Sequence, residues 1–314
     1  MKRYWNVVFI LILILVPALS GCGGNSGSGG DGGTPISTPT LTPPITMPSP
    51  PIATPSPTIN ALHVKPDSLS PDGKGLIWDT AFRTVQDAIN AAIPGDVIWV
   101  VAGTYYEKIT LTKGVALYGG FVGTETGQDQ RNWRKNVTIL DGGESQESVV
   151  TVVDITNARI DGFTVRNGLG KPGNVDAEFG GGIYCQNSSL VISNCTINGN
   201  GDNASDLYGG GIYCEGSAVI IENNKIELNM ADYGGGIYCY QTEITISNNT
   251  INDNWATNGG GIYCDNSEGT INNNIITENT AMTHGGGIYC FRSPTSNIDN
   301  TISGNSGGDI YIEP

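Results

Sequence analysis

The chain is poor in charged residues, in basic residues above all, and in histidine. Charged residues make up 14% of its 314 residues, with 15 Lys and Arg against 30 Asp and Glu and only two His. The resulting net charge of −15 argues against nucleic-acid binding, because phosphate backbones are held by basic surfaces. Abundant Asn and 45 Gly disfavour a helical bundle, because both residues are poor helix formers. A hydrophobic content of 38% still allows a folded core, in one or two domains.

The one long apolar run lies near the N-terminus and is too short to span a bilayer. It extends from Val7 to Val16, about half of the ~20 residues that a spanning helix needs, and it follows the basic pair Lys2-Arg3. Residues 1–21 are therefore predicted to be a signal peptide. Leu19-Ser20-Gly21-Cys22 resembles the lipobox of bacterial lipoproteins, in which the cysteine thiol receives a diacylglycerol. The resemblance implies a lipidated Cys22, membrane attachment, and an extracytoplasmic position at the cell surface or in the periplasm.

Residues 22–60 have the composition of a tether. Gly and Ser dominate residues 23–33, and Thr-Pro and Ser-Pro units follow, so that residues 23–60 hold 9 of the 16 prolines. Gly/Ser segments are flexible, whereas Pro-rich segments extend as stiffer polyproline II. The composition predicts a linker between the lipid and a domain formed by residues 61–314.

The C-terminal half of the chain is built from an internal repeat. The segment Gly180-Gly181-Gly182-Ile183-Tyr184-Cys185 recurs letter for letter at a nearly constant spacing. Its copies end at Cys185, Cys214, Cys239, Cys264 and Cys290. Regular repeats are therefore expected over residues 180–312, and a nearly fixed period of this length indicates a solenoid.

A second repeating track shares these spacings. Its isoleucines are Ile197, Ile226, Ile251, Ile276 and Ile302. Each is followed three residues later by an asparagine, at Asn200, Asn229, Asn254, Asn279 and Asn305. Four of them are also preceded by an asparagine three residues earlier, at Asn194, Asn223, Asn248 and Asn273. Identical residues at one period are expected where coils stack in register, because amide side chains can then pass hydrogen bonds along a column.

The runs between these signals are short and β-rich, which predicts an all-β fold: a single-stranded right-handed parallel β-helix. A period of about 25 residues per coil allows roughly ten coils in residues 61–314. Thr84 with Asp87 forms a helix-capping pattern, and Val85 and Ile89 fall on one face of the segment that follows. We expect an N-terminal capping helix at about residues 82–93 that covers the first coil, since open strand edges invite aggregation.

This organisation resembles the β-helix proteins of the pectin-lyase-like superfamily over residues 61–314. The similarity rests on the segments 82–89 and 94–96, on Gly103-Thr104-Tyr105-Tyr106-Glu107, and on the Gly-Gly-Gly-Ile-Tyr-Cys coils. The resemblance implies the fold, and relatives include polygalacturonases, pectate lyases and pectin methylesterases. Residues 103–107 match the methylesterase Gly-x-Tyr-x-Glu element, but the Gln, Asp and Arg motifs that follow it in that family are absent.

The remaining reactive side chains give no cofactor prediction. Five of the six domain cysteines share one repeat position, which fits an interior column of free thiols or a set of disulfides between coils. Metal binding is disfavoured because no CxxC pair or His cluster occurs. Ca²⁺ has acidic side chains available, but no EF-hand spacing supports it. His63 and His284 are expected at the surface.

Two features are candidates for a site. Strand alternation places five tyrosines opposite the Ile and Cys side chains, where they could bind sugar rings or stack on one another: Tyr184, Tyr213, Tyr238, Tyr263 and Tyr289. A broken second stripe precedes the glycines, at Phe179, Tyr208, Tyr233, Asn258 and His284. Glu215 and Asp265 should lie two coils apart on one side, as a pair of hydrolytic carboxylates would. No catalytic residue is assigned.

Binding is favoured over catalysis. The sequence predicts a surface lipoprotein that presents a β-helix as a binding or adhesion module, with extracellular polysaccharide as the ligand. The alternatives are a polysaccharide lyase or glycoside hydrolase of the same fold, and a purely structural envelope protein. Residues 307–312 begin a further repeat without a capping element, so end-to-end self-association at the C-terminal coil is also predicted.

Overall fold

The computed structural model describes residues 61–68, 73–172, 178–202 and 206–314, and side chains are not described for residues 171 and 172. The predicted signal peptide, Cys22 and the linker lie outside the described residues. The described residues are nearly all β, with four sheets and one α-helix among them. None of the helices in the described part of the chain is long and apolar enough to cross a membrane.

Three parallel sheets form the walls of the solenoid. The sheet that carries the repeat tyrosines, called the tyrosine sheet below, contains Ile109–Leu111, Val150–Val153, Ile183–Gln186, Ile212–Glu215, Ile237–Tyr240, Ile262–Asp265, Ile288–Phe291 and Ile310–Glu313. The second sheet contains Ala61–Val64, Val97–Val101, Ala116–Phe121, Ala158–Asp161, Ser189–Ser193, Ala218–Glu222, Glu243–Ser247, Glu268–Asn272 and Thr295–Ile298. The third sheet contains Gly103–Tyr105, Thr138–Ser145, Phe163–Gly168, Thr196–Asn198, Lys225–Glu227, Thr250–Asn252, Ile275–Thr277 and Thr301–Ser303.

A fourth sheet, the side sheet, lies between the third sheet and the next tyrosine strand. It contains Lys171–Pro172, Glu178–Phe179, Leu207–Tyr208, Met230–Tyr233, Trp255–Asn258 and Thr280–His284. Its first two strands pair antiparallel and the others pair parallel. The helical elements are the α-helix Val85–Ala91 and the 3₁₀ turns Trp78–Thr80 and Gln128–Gln130. Each regular coil thus passes through the tyrosine, second, third and side sheets in that order.

Equivalent repeat residues are direct neighbours in the sheets. Cys214 pairs with Cys239, and Cys239 pairs with Cys264, in parallel register. The five repeat cysteines form one column with exposures of 0 or 1%, and all six cysteines of the described residues carry free thiols. Burial raises the pKa of the sixth, Cys195, to about 12. The predicted interior column of thiols is confirmed.

The coil count is slightly below the predicted ten. The second sheet has nine strands, because an early coil is longer than the repeat period. Ile109 pairs with Val150, whereas Ile237 pairs with Ile262, so the stretch of chain between paired positions is much longer in the early coil. The 3₁₀ turn Gln128–Gln130 falls in the additional residues of the long coil.

The repeated glycine triplet is required by backbone packing. Gly234 has a φ of +66°, which side-chain-bearing residues rarely adopt. A Cβ on Gly235 would lie 2.4 Å from the carbonyl oxygen of Trp255 in the next coil. Glycine therefore allows successive coils to approach at this corner.

Two buried asparagine ladders run along the solenoid. In the first, each Nδ2 donates to the Oδ1 of the asparagine in the next coil, at 2.9–3.0 Å. Its members are the predicted Asn200, Asn229, Asn254, Asn279 and Asn305. The second ladder has distances of 2.9–3.1 Å and consists of Asn224, Asn249, Asn274 and Asn300.

The other predicted asparagine track has a backbone role. Asn194, Asn223, Asn248 and Asn273 have φ values of +54 to +57°, in the left-handed region that asparagine tolerates. They turn the chain from the second sheet into the third, and the residue after each of them occupies the second ladder position. Cys195 takes that position in its coil, where its backbone N–H donates to the Asn224 Oδ1 at 2.8 Å.

The N-terminal helix covers the first coils as predicted. The Thr84 hydroxyl accepts a hydrogen bond from the Asp87 N–H at 3.1 Å and caps the helix Val85–Ala91. Its face of Val85, Ala88 and Ile89 is buried in the same core as the sheets. At the opposite end Ile310–Glu313 pairs with Ile288–Phe291, and the side chains of Ile298, Ile310 and Ile312 are exposed. Self-association through this coil stays a prediction.

Substituting the central ladder residue tests the role of the ladder. Asn254 is 1% exposed, and its side chain donates to Ile226 O and Asn279 Oδ1 and accepts from Asn229. Asn254→Ala should lower the free energy of unfolding by at least about 2 kcal/mol, because several buried groups lose their partners. The control is Asn297→Ala, an exposed asparagine on the last strand of the second sheet, which should change the free energy of unfolding by less than about 0.5 kcal/mol. Equal effects in chemical denaturation would contradict the ladder's role.

Candidate functional site

The outer face of the tyrosine sheet carries a continuous column of stacked rings. Successive ring centroids are separated by 5.5, 5.6, 5.1, 4.5 and 5.0 Å along the series Tyr184, Tyr213, Tyr238, Tyr263, Tyr289 and Tyr311. The five repeat tyrosines are only 4–8% exposed. The expectation of an open aromatic stripe is therefore corrected: the ring faces cover one another, because a spacing near the strand distance leaves no room for a sugar between them.

The predicted second stripe packs against this column. Phe179, Tyr208 and Tyr233 lie on the side sheet with centroid distances of 5.7 and 4.9 Å between neighbours. Tyr208 meets Tyr238 edge-on at 5.2 Å, and Tyr233 meets Tyr263 at 5.7 Å. These half-buried rings form a lateral wall that hides the tyrosine column from solvent.

A second row of outward side chains borders the column on its other side. In register along the tyrosine sheet it consists of Val153, Gln186, Glu215, Tyr240, Asp265, Phe291 and Glu313, all of them half-buried. We call this the outer row. Glu215 and Asp265 are thus placed two coils apart on one face, as predicted.

The carboxylates of the outer row are hydrogen-bonded to the tyrosine column. Tyr213 OH donates to Glu215 at 3.3 Å, Tyr238 OH donates to Asp265 at 3.0 Å, and Tyr289 OH donates to Glu313. Burial and the neighbouring carboxylates raise the pKa of Tyr213 and Tyr238, and burial raises that of Tyr184 to about 12. The phenols therefore remain protonated donors at neutral pH.

A cavity of about 580 Å³ opens on this face where the tyrosine column ends. Its floor contains Thr110 and Thr151, and Thr151 pairs in register with Tyr184. The ion pair between Lys108 and Glu147 lies at its rim, and Val153, the first member of the outer row, also lines it. The smaller threonines leave open the volume that tyrosine rings fill in the later coils.

This cavity was not predicted from the sequence. The signal was available in the register: Ile109-Thr110-Leu111 occupies the position of the repeated Ile-Tyr-Cys segment, with threonine in place of tyrosine. The early coils lack the glycine triplet, so their alignment with the repeats became clear only from the strand pairing.

Comparison of the sequence with protein-family models identifies the family of this chain. The family model described as right handed beta helix region matches residues 107–257 and 150–313. The chain belongs to this family. None of the curated proteins matches the chain.

Solved structures with a similar fold share little sequence with this family member. A pectin methylesterase in complex with a hexasaccharide is 17% identical with a TM-score of 0.43, covering 74% of this chain and 70% of that one. Pectin methylesterase PemA from Erwinia chrysanthemi is 16% identical with a TM-score of 0.40 and 82% coverage of both chains. An alginate lyase from Paenibacillus sp. is 12% identical with a TM-score of 0.28, covering 72% of this chain and 95% of that one. At these identities the likeness concerns the fold alone.

The methylesterase-like element has a structural role in this family member. The Glu107 carboxylate accepts hydrogen bonds from the N–H groups of Val85 and Gln86, at 3.0 and 3.1 Å, and so holds the first turn of the capping helix. Tyr105 is 3% exposed, and its hydroxyl donates to Val101 O at 3.0 Å. The Glu107 side chain thus holds the cap, and the Tyr105 side chain packs and hydrogen-bonds within the first coil.

Two buried carboxylates are paired with arginines. Asp161 pairs with Arg131 and Arg159, and Asp141 accepts from Arg166 at 2.8 Å. Each is 4% exposed and holds neighbouring coils together. Within the ranges that the structure describes, no group of three or more His, Cys, Asp and Glu side chains is arranged to hold a metal ion.

The expected surface position is wrong for one of the two histidines. His284 is exposed, but His63 is 7% exposed and lies edge-on between Trp78 and Trp99, with ring centroids 4.3 and 5.3 Å away. Its Nδ1 donates to Gly75 O at 2.7 Å. The cap segment of residues 73–82 folds over the first strand and encloses the ring. The sequence of this segment has no helix or strand pattern, so the burial of His63 could not be predicted from it.

The buried histidine predicts an acid-sensitive cap. Burial lowers the pKa of His63 below its ordinary value of 6.5, so the unfolded state binds the proton more readily than the folded state. The free energy of unfolding should therefore fall as the pH drops from about 7 towards 5. Urea denaturation across this range should show a smaller decrease for His63→Gln. His284→Gln should keep the wild-type decrease, and equal pH profiles in all three proteins would contradict this role of His63.

Proposed function

We propose that the domain is a binding module for an extracellular polysaccharide, which it holds on the outer face of the tyrosine sheet. The observation that carries the proposal is the 580 Å³ cavity at the end of the tyrosine column. It combines threonine hydroxyls, a Lys–Glu ion pair and an apolar wall, which are the groups that sugar hydroxyls and sugar faces contact. The outer row leads away from it along the whole sheet, so a chain of sugars has a continuous path.

The tyrosine column supports this face indirectly. Its rings do not present open faces, so the predicted sugar stacking on the five repeat tyrosines is replaced by a supporting role. Stacked rings stiffen the sheet, and their hydroxyls orient the carboxylates of the outer row. A rigid face lowers the conformational cost of holding an extended polymer.

The tether sets the place of action in the proposal. A lipidated Cys22 and the Gly/Ser and Thr/Pro-rich linker of residues 22–60 would hold the domain outside the cytoplasm, on a membrane. Two acyl chains or more give firm anchoring, because each buried CH₂ contributes about 0.8 kcal/mol. The module would then attach the cell or its envelope to polymer in the surroundings.

A substitution that extends the protein's own tyrosine column tests the cavity. Thr151→Tyr places a ring in register with Tyr184, where it can stack, and it should fill the cavity without lowering stability. Binding of the full-length chain in detergent to a panel of neutral, basic and acidic polysaccharides should weaken at least about tenfold for the preferred polymer, since sugar contacts in the cavity are lost.

Thr250→Tyr is the matched control. Thr250 is a half-buried outward threonine on the third sheet, in register with Lys225 and Ile275, and its substitution should leave binding unchanged. Binding by wild type that is unaffected by Thr151→Tyr would contradict the proposed site. Release of reducing ends from the bound polymer would instead favour the enzyme alternative.

A further inference from the structure

The outer row alternates acidic and aromatic side chains along five successive coils. Strand pairing places Glu215 next to Tyr240, Tyr240 next to Asp265, Asp265 next to Phe291, and Phe291 next to Glu313. The alternation is absent from the sequence repeat itself, since four of these five coils have the same Ile-Tyr-Cys segment before this position and the fifth has Ile310-Tyr311-Ile312. Acidic side chains therefore recur in every second coil of this row, although the backbone repeats in every coil.

The period of the row fixes the spacing of its charges. Neighbouring parallel strands lie about 4.8 Å apart, so the three carboxylates recur about every 9–10 Å, with one aromatic ring between each pair. All five side chains are half-buried, which leaves part of each one accessible. Hydrogen bonds from Tyr213, Tyr238 and Tyr289 hold the three carboxylates in place.

Other carboxylates lie across the tyrosine column from the row, on the side sheet or next to it. The pKa of Tyr208 is raised mainly by burial. It is raised further by Tyr233 and by the carboxylates of Asp206, Asp232 and Asp265. Among the cations, Lys108 is paired with Glu147, and the guanidinium of Arg292 lies 4.7 Å from the Phe291 ring centroid. Arg292 shows that a cation can sit against an aromatic member of the row.

We propose that the polysaccharide bound along the outer row is a cationic one, a linear polymer of amino sugars with free amino groups; this rests on the proposed function. In an extended chain of β-1,4-linked glucosamine, alternate sugars face opposite ways, so amino groups along one edge recur once per disaccharide. That repeat is close to two strand spacings. Each ammonium can then meet one carboxylate, while the sugar between Glu215 and Asp265 lies over Tyr240.

The same charges oppose polyuronates. A uronate chain would bring carboxylates along a row of carboxylates on a protein with a net charge of −15, and like charges at this distance repel. A neutral polymer would keep the aromatic contacts and lose the ionic ones. The order of affinity is therefore cationic, then neutral, then anionic.

Binding of defined oligosaccharides to the full-length chain in detergent tests this inference. The probes are a glucosamine hexamer, the fully N-acetylated hexamer and a galacturonate oligomer of the same length, measured by titration calorimetry at low and high salt. The glucosamine hexamer should bind most tightly and should weaken with salt, because exposed ion pairs are screened. The galacturonate oligomer should not bind.

Charge-removing variants distinguish binding by the outer row from attraction to the overall negative charge of the protein. Glu215→Gln with Asp265→Asn removes two charges of the row and should weaken the glucosamine hexamer about tenfold. Glu243→Gln with Glu268→Gln is the matched control, since these exposed residues are adjacent in register on the second sheet, one strand spacing apart. The control should leave binding unchanged. Equal Tm values of both variants and wild type establish that the fold is retained.

Each outcome decides one of the two proposals. Equal losses in the two double variants, or tighter binding of the N-acetylated or galacturonate probe, would overturn the cationic ligand. In that case, polysaccharide binding that Thr151→Tyr weakens at least about tenfold would leave the proposed function standing. Absence of binding to every polysaccharide would overturn the proposed function and this inference together.

Discussion

The architecture depends on parallel, in-register pairing of each coil with the next. Backbone hydrogen bonds hold the coils at the strand spacing, and two buried asparagine ladders fix which residues face each other, because a slipped coil would leave amide groups unsatisfied in the core. The glycine triplet lets successive coils approach at one corner. Every column of identical side chains, inside or outside, follows from this register.

In-register stacking also explains why the most repetitive residues are the least available. An identical aromatic ring in every regular coil fills the strand spacing and covers its neighbour, so the tyrosine column becomes a second, external core. Room for a ligand arises where repetition fails. The threonines at the tyrosine position open the cavity, and the alternating acidic and aromatic outer row varies between coils.

Much of the fold was predictable from the sequence, since repeated identity reports directly on stacking. The β-helix, the capping helix with Thr84, the cysteine column and the first asparagine ladder follow from period and local pattern. The second ladder was placed one residue early, because a repeated asparagine in a left-handed turn looks the same in sequence as one in a ladder. The candidate site was harder to predict. Alternation showed that the tyrosines point outwards, but burial under Tyr208 and Tyr233 depends on side-sheet packing between coils.

Removal of one whole coil shows whether the coils depend on in-register stacking. Ala218 pairs with Glu243, so deleting Ala218–Thr242 removes one full repeat and brings equivalent residues together at the junction. We expect this shortened chain to unfold cooperatively, with a β-rich circular dichroism spectrum like that of wild type. A deletion of about half that length from the same point should abolish cooperative unfolding. If the whole-coil deletion fails to fold while the half-coil deletion folds, or if both behave alike, stacking in register is contradicted.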